Sequence, residues 1–447
     1  MGYDGRWQST DQIPLRAVES GRIDRFGFID PTDGGESYRY SVSGDAWGRL
    51  GSGDWRALAY VMDYHLDLFS NFTYFTDTSN GDQFEQADDR TVAGGDFRYR
   101  QELPALGHEA EWLSGVQIRQ DDISPVGLYK TRARQRIATV RQDEVKQTSY
   151  AAFTSLDLRW APWLRSEFGL RADRYNFDVQ SDLAVNSGTA DDAIVSPKAS
   201  LTFGPWKDTE YFLNAGRGFH SNDARGTTIH VDPNDGATPV DRVDPLVRAT
   251  GAEVGARTGL IPKVQIAASL WTLQLDSELL FVGDGGTTEA SRPTRRTGLE
   301  IGVYYKPVDW LIADADLAWS RPRFTDTDPV GDRIPGAVER VFSLGLAIDR
   351  PDGWFGGARL RYLGPPSLTE DDRVRARPTT LVNLDAGYRF SKRWSAQLLL
   401  LNAFDEQGND ITYFYESQLA GEPAPVEDIH FHPVEPRTIR ASLTVNM

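Results

Sequence analysis

The feature that most constrains this chain is an alternation of apolar and polar side chains that continues for roughly 10 to 20 residues at a time and recurs along the sequence. In residues 163–179, for example, Phe168 and Leu170 share one face, whereas Glu167 and Arg171 share the other. A period of two residues indicates β-strands. These strands would be about twice as long as strands of a soluble β-sandwich, which usually have about five or six residues. They suit a wall with lipid on one side and water on the other.

The same pattern appears in three other segments, each with aromatic residues near its ends: 150–160, 311–319 and 382–390. Rings at the ends of an apolar face are typical of the aromatic girdles at the two surfaces of a membrane. The alternation also reaches the end of the chain, where Ile439, Leu443 and Met447 fall on one face. This ending resembles the terminal strand of outer-membrane barrels, in which the final residue is usually Phe or Trp.

Connections between these strands alternate between short and long. Tight connections are expected at 51–53, 104–106, 161–162, 204–207, 260–262, 307–308, 351–353 and 391–392. Long polar connections are expected at 71–90, 122–145, 180–192, 219–244, 284–292, 322–335, 365–377 and 404–435, and 422–426 and 429–434 are predicted as loop. A transmembrane barrel sorts its connections in this way, with short periplasmic turns and long extracellular loops. We therefore predict an all-β fold, a single antiparallel transmembrane β-barrel domain over residues 1–447 with about 17–18 strands.

Composition argues against several other classes of protein. The chain has no cysteine, which excludes a disulfide scaffold, a thiolate metal site and a cysteine nucleophile. Its formal net charge of −17 makes it a poor candidate for nucleic-acid binding. It has no apolar run of about 18 residues that could form a transmembrane helix, and its first residues lack the pattern of a signal peptide. No phosphate-binding, dinucleotide-binding, zinc-protease or nucleophile motif is present, so we predict neither an enzyme nor a cofactor.

Two stretches carry a more specific signal. The first comprises 11–14, 16–18, 21–27 and 34–37 and leads into a strand at 38–42; the second runs over 214–226 around the core GRGFHSN. Both resemble segments of the barrel domain of TonB-dependent outer-membrane receptors related to siderophore importers. As a barrel, the resemblance extends over the whole chain.

This resemblance implies a Gram-negative outer-membrane protein, usually a monomer, whose barrel of about 22 strands surrounds an N-terminal plug domain. It implies that substrate binds outside, between loops and plug, and that the TonB system pulls on an N-terminal box with energy from the inner membrane. The expected cargo is a scarce nutrient such as a ferric siderophore or similar chelate. The plug, the TonB box and the first strands are absent from this sequence, so we expect an incomplete barrel.

The substrate site is expected in the extracellular loops. The candidate residues are Arg217, His220, Asn222 and Arg225, where a strand enters its long loop, and Tyr413 and Tyr415 in the last loop. Arginine can pair with carboxylates or phenolates of a ferric chelate, and tyrosine rings can stack on a flat ligand. The alternative is structural: Asn222 and Asp223 would cap a turn, Arg217 would pair in the barrel wall, and the tyrosines would form the girdle or hold a loop.

Two further groups of residues have mainly structural interpretations. His430 and His432 would share one face of a strand, but two histidines alone make a weak metal site, so packing in a loop is favoured and no metal site is predicted. A luminal set is expected to form a charge ladder across neighbouring strands, because charges inside a barrel need partners. This set is Arg165, Arg171, Asp173, Arg359, Arg361, Asp385 and Arg389.

Other functions remain open at this point. The strand count permits a passive porin-like channel that closes with 18 strands, and a receptor fragment without a plug could be non-functional. A soluble β-propeller or adhesin would need a repeat of roughly 40 to 50 residues, and the sequence contains none.

Overall fold

The computed structural model describes residues 1–9, 11–105, 107–282, 287–290 and 292–446. Leu106 in a predicted turn, part of the predicted loop at 284–292, and the terminal Met447 lie outside the described residues.

The described chain consists almost wholly of β-strands. In order, its elements are β1 (Gly2–Gln8), β2 (Ile13–Pro14), α1 (Leu15–Glu19), β3 (Gly34–Leu50), β4 (Gly53–Ser70), β5 (Phe84–Ala105), β6 (His108–Arg132), β7 (Gln135–Ala161), β8 (Leu164–Ser181), a 3₁₀ turn (Ala184–Asn186), β9 (Gly188–Trp206), β10 (Thr209–Ser221), α2 (Ala224–Thr228), β11 (Leu246–Thr258), β12 (Val264–Leu275), β13 (Leu279–Val282), β14 (Thr287–Ala290), β15 (Thr294–Val308), β16 (Leu311–Phe324), β17 (Arg340–Asp349), β18 (Gly353–Leu363), β19 (Thr379–Arg389), β20 (Trp394–Leu401), β21 (Asn409–Ser417), β22 (Val426–Pro433) and β23 (Thr438–Val445). Among the described residues, no helix is both long enough and apolar enough to cross a bilayer.

Within the described residues, 18 of these strands form one antiparallel sheet. Pairing leads from β1 to β3, through successive strands to β12, then through β15 to β20, and ends on β23. The strand order also places β23 beside β3, although the described residues give no residue-by-residue ladder between β23 and either β3 or β1. The prediction of an antiparallel β-barrel is confirmed, and the strand count agrees with the predicted range.

The two faces of the sheet differ in polarity, as the alternation predicts. On one face, Val116, Ile118 and Leu170 are about half exposed (55%, 49% and 50%) although they are large and apolar. On the other face, Arg171 donates a 2.8 Å hydrogen bond to the amide oxygen of Gln117. Rows of exposed apolar side chains suit a surface covered by lipid, whereas paired polar groups suit the wet lumen.

The connection predicted at 122–145 is wrong, because β6 and β7 continue through it. They meet at a two-residue turn, Ala133-Arg134, whose φ angles are both positive (49° and 63°), as in the turns that match the twist of a hairpin. Above the lipid boundary neither face needs to be apolar, so the alternation that marks a strand disappears from the sequence. The hairpin therefore extends beyond the membrane without a sequence signal.

Of the other long connections, those following β4 and β8 are shorter than predicted, at 71–83 and 182–187. Those following β10 and β18, at 222–245 and 364–378, lie within three residues of the predicted bounds. The segments predicted as loop at 422–426 and 429–434 are also partly wrong, because β22 spans Val426–Pro433 and pairs with β21 and β2. Its partner β2 lies about 400 residues earlier in the chain, so nearby sequence cannot reveal the pairing.

Candidate functional site

Two segments lie at the end of the barrel where the long connections are found. We call residues 222–245, between β10 and β11, the lumen loop. We call the sheet of β2, β21 and β22, together with residues 11–33, the mouth sheet. Together they contain four of the six candidate residues, Asn222, Arg225, Tyr413 and Tyr415, and His220 lies on β10 just before the lumen loop.

The lumen loop folds onto the luminal face of β6, β7 and β8. Its short helix α2 is capped by Asp223, whose carboxylate accepts a 2.9 Å hydrogen bond from the backbone of Arg225. Ala224 then packs into a buried apolar cluster with Ile123, Val145 and Phe177. Local capping and apolar burial thus place the loop inside the barrel rather than outside it.

Charged groups join this loop to the wall. Arg225 forms a 2.8 Å ion pair with Asp223, and its backbone carbonyl accepts a 3.4 Å hydrogen bond from Arg141 on β7. Arg141 in turn pairs with Asp143, and the side chains of both are almost fully buried (1% and 0% exposed). Burial alone would raise the pKa of Asp223, but the charge and hydrogen bonds of Arg225 outweigh it and hold the pKa well below its usual range. Asp223 and Arg225 therefore stay charged at neutral pH.

The buried Asn186 provides a second anchor for the lumen loop. Its side-chain oxygen accepts hydrogen bonds from the backbone N–H groups of His230 (2.9 Å) and Val231 (3.0 Å), and its amide nitrogen donates to the Val231 carbonyl at 3.0 Å. One side chain thereby satisfies three backbone groups that a loop would otherwise leave unpaired.

The predicted luminal charge ladder is partly a set of pairs within single strands. Arg165 reaches across the wall to Glu210 (2.7 Å), and Arg359 reaches Asp314 (2.5 Å). By contrast, many arginines pair with an aspartate two residues away on their own strand or loop: Asp88/Arg90, Asp96/Arg98, Arg119/Asp121, Arg141/Asp143, Arg171/Asp173 and Asp223/Arg225. Residues two apart share a face of a strand, so this spacing neutralises charge without a neighbouring strand.

The mouth sheet depends on Arg16. Its guanidinium contacts Glu422 at 2.9 Å and Asp428 at 3.3 Å, and donates to the carbonyl of Ser417 at 2.9 Å. Sequence reasoning placed Arg16 in a family-like stretch but gave it no role, because all three partners lie at the other end of the chain.

Two candidate aromatics are part of the mouth sheet. Tyr415 stacks on the buried His430 with 3.8 Å between ring centroids, and burial raises the pKa of its hydroxyl well above the usual range. Both nitrogens of His430 are engaged, one with the hydroxyl of Ser417 (2.7 Å) and one with the carbonyl of Asp428 (3.0 Å). Burial lowers the pKa of His430 to about 4. This histidine is neutral and packed, which leaves no free nitrogen for a metal.

The mouth sheet also contains a group of acidic residues, Asp11, Asp30 and Asp33. Asp33 is almost fully buried, and its second carboxylate oxygen has no hydrogen-bond partner in the described part of the chain. Burial, followed by the charges of Asp30 and Asp11, raises its pKa to about 8. Gln83 donates a 3.2 Å hydrogen bond to the other oxygen. Near neutral pH this aspartate is therefore largely protonated.

The six candidate residues do not converge on one pocket. Asn222 is buried and donates a 2.6 Å hydrogen bond to the Asp244 carbonyl, while Arg225 is engaged in its ion pair with Asp223. The remaining candidates are distributed over three places: Arg217 is exposed on the face of β10 that carries Tyr211 and Leu213, His220 lies on the opposite, luminal face, and Tyr413 is partly exposed on β21.

Two of the candidates have a buried polar atom without a hydrogen-bond partner among the described residues. These atoms are Nε2 of His220 and the hydroxyl oxygen of Tyr415. Sequence reasoning missed a further group, which consists of Glu36, His65 and Asp67. Each side chain offers one ligand atom, and these three atoms lie within 4.8 Å of one another. Among the described residues, this is the group that could hold a metal ion. The signal for it was the pair His65 and Asp67, two residues apart on a predicted strand.

Comparison with known proteins gives a consistent result. The sequence matches the family described as TonB dependent receptor-like, beta-barrel, over residues 2–403. Similar solved structures include the ferric-catecholate import receptor Fiu from E. coli K12 (TM-score 0.77, 13% identity), the ferric citrate transporter FecA (0.77, 14%) and the ferric yersiniabactin uptake receptor FyuA from Yersinia pestis (0.75, 12%). Each alignment covers 99% of this chain but only 71%, 66% and 66% of those chains, respectively. At such identities the likeness concerns the fold.

Proposed function

Because the chain belongs to the TonB-dependent receptor β-barrel family, we propose that it forms most of the wall of an outer-membrane importer for a ferric siderophore or similar ferric chelate. The family match over residues 2–403 carries this proposal. Energy would come from the inner membrane through the TonB system, acting on a plug domain within the barrel. The importer would sit as a monomer in the lipid of a Gram-negative outer membrane.

The substrate class is inferred from the similar structures. Three of them are described as receptors or transporters for ferric catecholate, ferric citrate and ferric yersiniabactin. These similar proteins are receptors and transporters, so we keep the prediction that this chain is not an enzyme.

We assign different roles to the six candidate residues. His220, with its unused nitrogen on the luminal face, and the partly exposed Tyr413 would contact the chelate. Asn222, Arg225 and Tyr415 would act indirectly by holding the lumen loop and the mouth sheet in place. Arg217 would lie against the lipid surface.

Binding can be tested on the full chain purified in detergent. Tryptophan fluorescence would be followed during titration with ferric citrate, a ferric catecholate and the iron-free forms of both chelators. We expect saturable quenching by one ferric chelate and a weaker response to its iron-free form. His220→Gln should weaken this binding, whereas His108→Gln, near a periplasmic turn, should leave it unchanged. Equal responses to both forms of each chelator would contradict the proposal.

A passive channel is the main competing function. The lumen loop lies within the mouth on the luminal face, which disfavours a wide permanent opening. Conductance across a planar bilayer distinguishes the two functions: a porin gives large, steady steps, whereas an importer gives little current.

A further inference from the structure

A small polar cluster on the outer face of the barrel is independent of the proposed chelate site. Glu36 lies on β3, and His65 and Asp67 lie on β4, on the face that carries the apolar pair Val42 and Val61 nearer the membrane. Their side chains are 42%, 19% and 25% exposed, so an ion from solution can reach them. We propose that Glu36, His65 and Asp67 bind one divalent transition-metal ion, such as Zn²⁺, at the extracellular rim of the barrel.

The imidazole of His65 is held as a metal ligand would be. Its Nδ1 is 2.5 Å from a carboxylate oxygen of Asp89. In the tautomer whose Nδ1–H donates a hydrogen bond to this oxygen, the lone pair of Nε2 is free for a metal ion. Histidines that bind metals are usually oriented by such a carboxylate. Tyr38 stacks on the ring at 5.1 Å between centroids and 17° between planes, which limits its rotation.

The spacing of the ligand atoms also suits an ion. The Nε2 atom of His65 and a carboxylate oxygen of Asp67 are 3.4 Å apart. Two ligands that each lie about 2.1 Å from a tetrahedral Zn²⁺ are about 3.4 Å from one another. One nitrogen and two oxygens form a ligand set that Zn²⁺ and similar first-row ions accept, with a fourth position left for water.

Electrostatics provides a separate reason for a cation at this place. Glu36 and Asp67 are directly opposite in the β3–β4 register, and like charges in that arrangement destabilise a sheet. Arg6 pairs with one oxygen of Glu36 at 2.7 Å, which offsets part of this repulsion. A divalent ion between the three ligands would neutralise the rest.

Calorimetric titration of the EDTA-treated full chain with Zn²⁺ tests the site, and Co²⁺ absorption reports on the ligands. We expect one Zn²⁺ per chain and visible Co²⁺ bands. His65→Gln and Asp67→Asn should each weaken binding about 100-fold or more, and Asp89→Asn, which only orients His65, about 10- to 100-fold. Asp63→Asn is the matched control, because Asp63 lies on the same face of β4 two residues nearer the membrane.

The competing explanation is that a protonated His65 is held by the carboxylates of Glu36, Asp67 and Asp89 and that no metal ion binds. It predicts no saturable Zn²⁺ binding, or binding that is unchanged in His65→Gln, and either result would overturn the proposal. Far-UV circular dichroism of every variant checks the fold, and these side chains are exposed enough for the variants to fold. Loss of chelate binding would not affect this outcome, since the cluster lies outside the lumen.

Discussion

The lumen loop and the mouth sheet both lie at the end of the barrel that carries the long connections, but their buried polar groups differ in charge. The lumen loop is held by two ion pairs, Arg141–Asp143 and Asp223–Arg225. The mouth sheet contains two buried groups that are mainly neutral near pH 7, His430 with a pKa of about 4 and Asp33 with a pKa of about 8. The first segment should therefore keep its stability across the neutral range, whereas the second should respond to pH.

The difference follows from how each segment reaches its place. In the lumen loop and the wall beneath it, each ion pair joins residues two apart in sequence, Arg141 with Asp143 and Asp223 with Arg225. The mouth sheet joins residues near both ends of the chain, so its buried polar side chains are covered by segments that are distant in sequence. A buried side chain keeps its charge where an oppositely charged partner lies nearby. It becomes neutral where it is buried without such a partner.

The largest expected effect comes from breaking the fully buried pair. Arg141→Gln leaves Asp143 buried without its partner, and the lumen loop should lose about 3–5 kcal/mol of local stability. Hydrogen exchange of residues 222–245, followed by mass spectrometry, measures this loss. Arg217→Gln, on the outer face, is the matched control. Unchanged exchange in Arg141→Gln would mean that the ion cluster does not hold the loop.

The pH response of the mouth sheet comes next. A raised carboxyl pKa lowers stability as pH rises from about 4 to about 8, and a lowered histidine pKa lowers it as pH falls from about 6.5 to about 4. The two slopes oppose one another at acid pH, so stability should be flat to about pH 6.5 and then fall by about 2 kcal/mol up to pH 8.

Asp33→Asn tests this response because it removes the ionisable group and keeps the oxygen that accepts from Gln83. The fall in stability between pH 6.5 and 8 should disappear in this variant, as measured by hydrogen exchange of residues 409–433. Asp30→Asn is the comparison variant. A wild-type curve that stays flat up to pH 8 would show that Asp33 ionises normally.

A smaller effect is expected at Arg16. Arg16→Gln removes charged contacts to Glu422 and Asp428, and the mouth sheet should lose about 2 kcal/mol. Limited proteolysis between β21 and β22 reports this loosening as faster cleavage. Arg22→Gln is the control, because Arg22 makes one exposed hydrogen bond to the Ala420 carbonyl. Equal cleavage rates in the two variants would contradict a special role for Arg16.

The smallest effect is predicted for an exposed pair on the outer wall. Arg174 and Asp191 are 2.9 Å apart, but each side chain is 58% exposed. Arg174→Gln should change the stability of the barrel by less than about 1 kcal/mol. Thermal unfolding in detergent gives the value, and a larger loss would mean that membrane-surface charges stabilise this barrel more than water-exposed pairs usually do.

Much of the fold could be predicted from the sequence, because the membrane imposes a pattern. In segments such as 311–319, successive side chains must face lipid and lumen in turn. This requirement produces an alternation of apolar and polar residues that can be read from the sequence. The pattern stops where the membrane stops. The hairpin that ends at Ala133 and Arg134 was therefore missed, although its strands are regular.

The candidate site was less predictable for a different reason. Asp223 could be recognised as a cap because its partner is two residues away, but the contacts of Arg16 and the burial of Asp33 depend on segments that are distant in sequence. His65 was overlooked because Glu36 and Asp89 lie on neighbouring strands. Register, which sequence alone fixes poorly, decides which of these side chains meet.

Uptake by iron-starved cells tests the central claim most directly. Cells that make the protein from its natural gene would be given ⁵⁵Fe-labelled chelates, with and without a working TonB system. We predict accumulation of one ferric chelate that requires both the protein and TonB. Accumulation that continues without TonB, or entry of all small solutes alike, would contradict an importer and favour a passive channel.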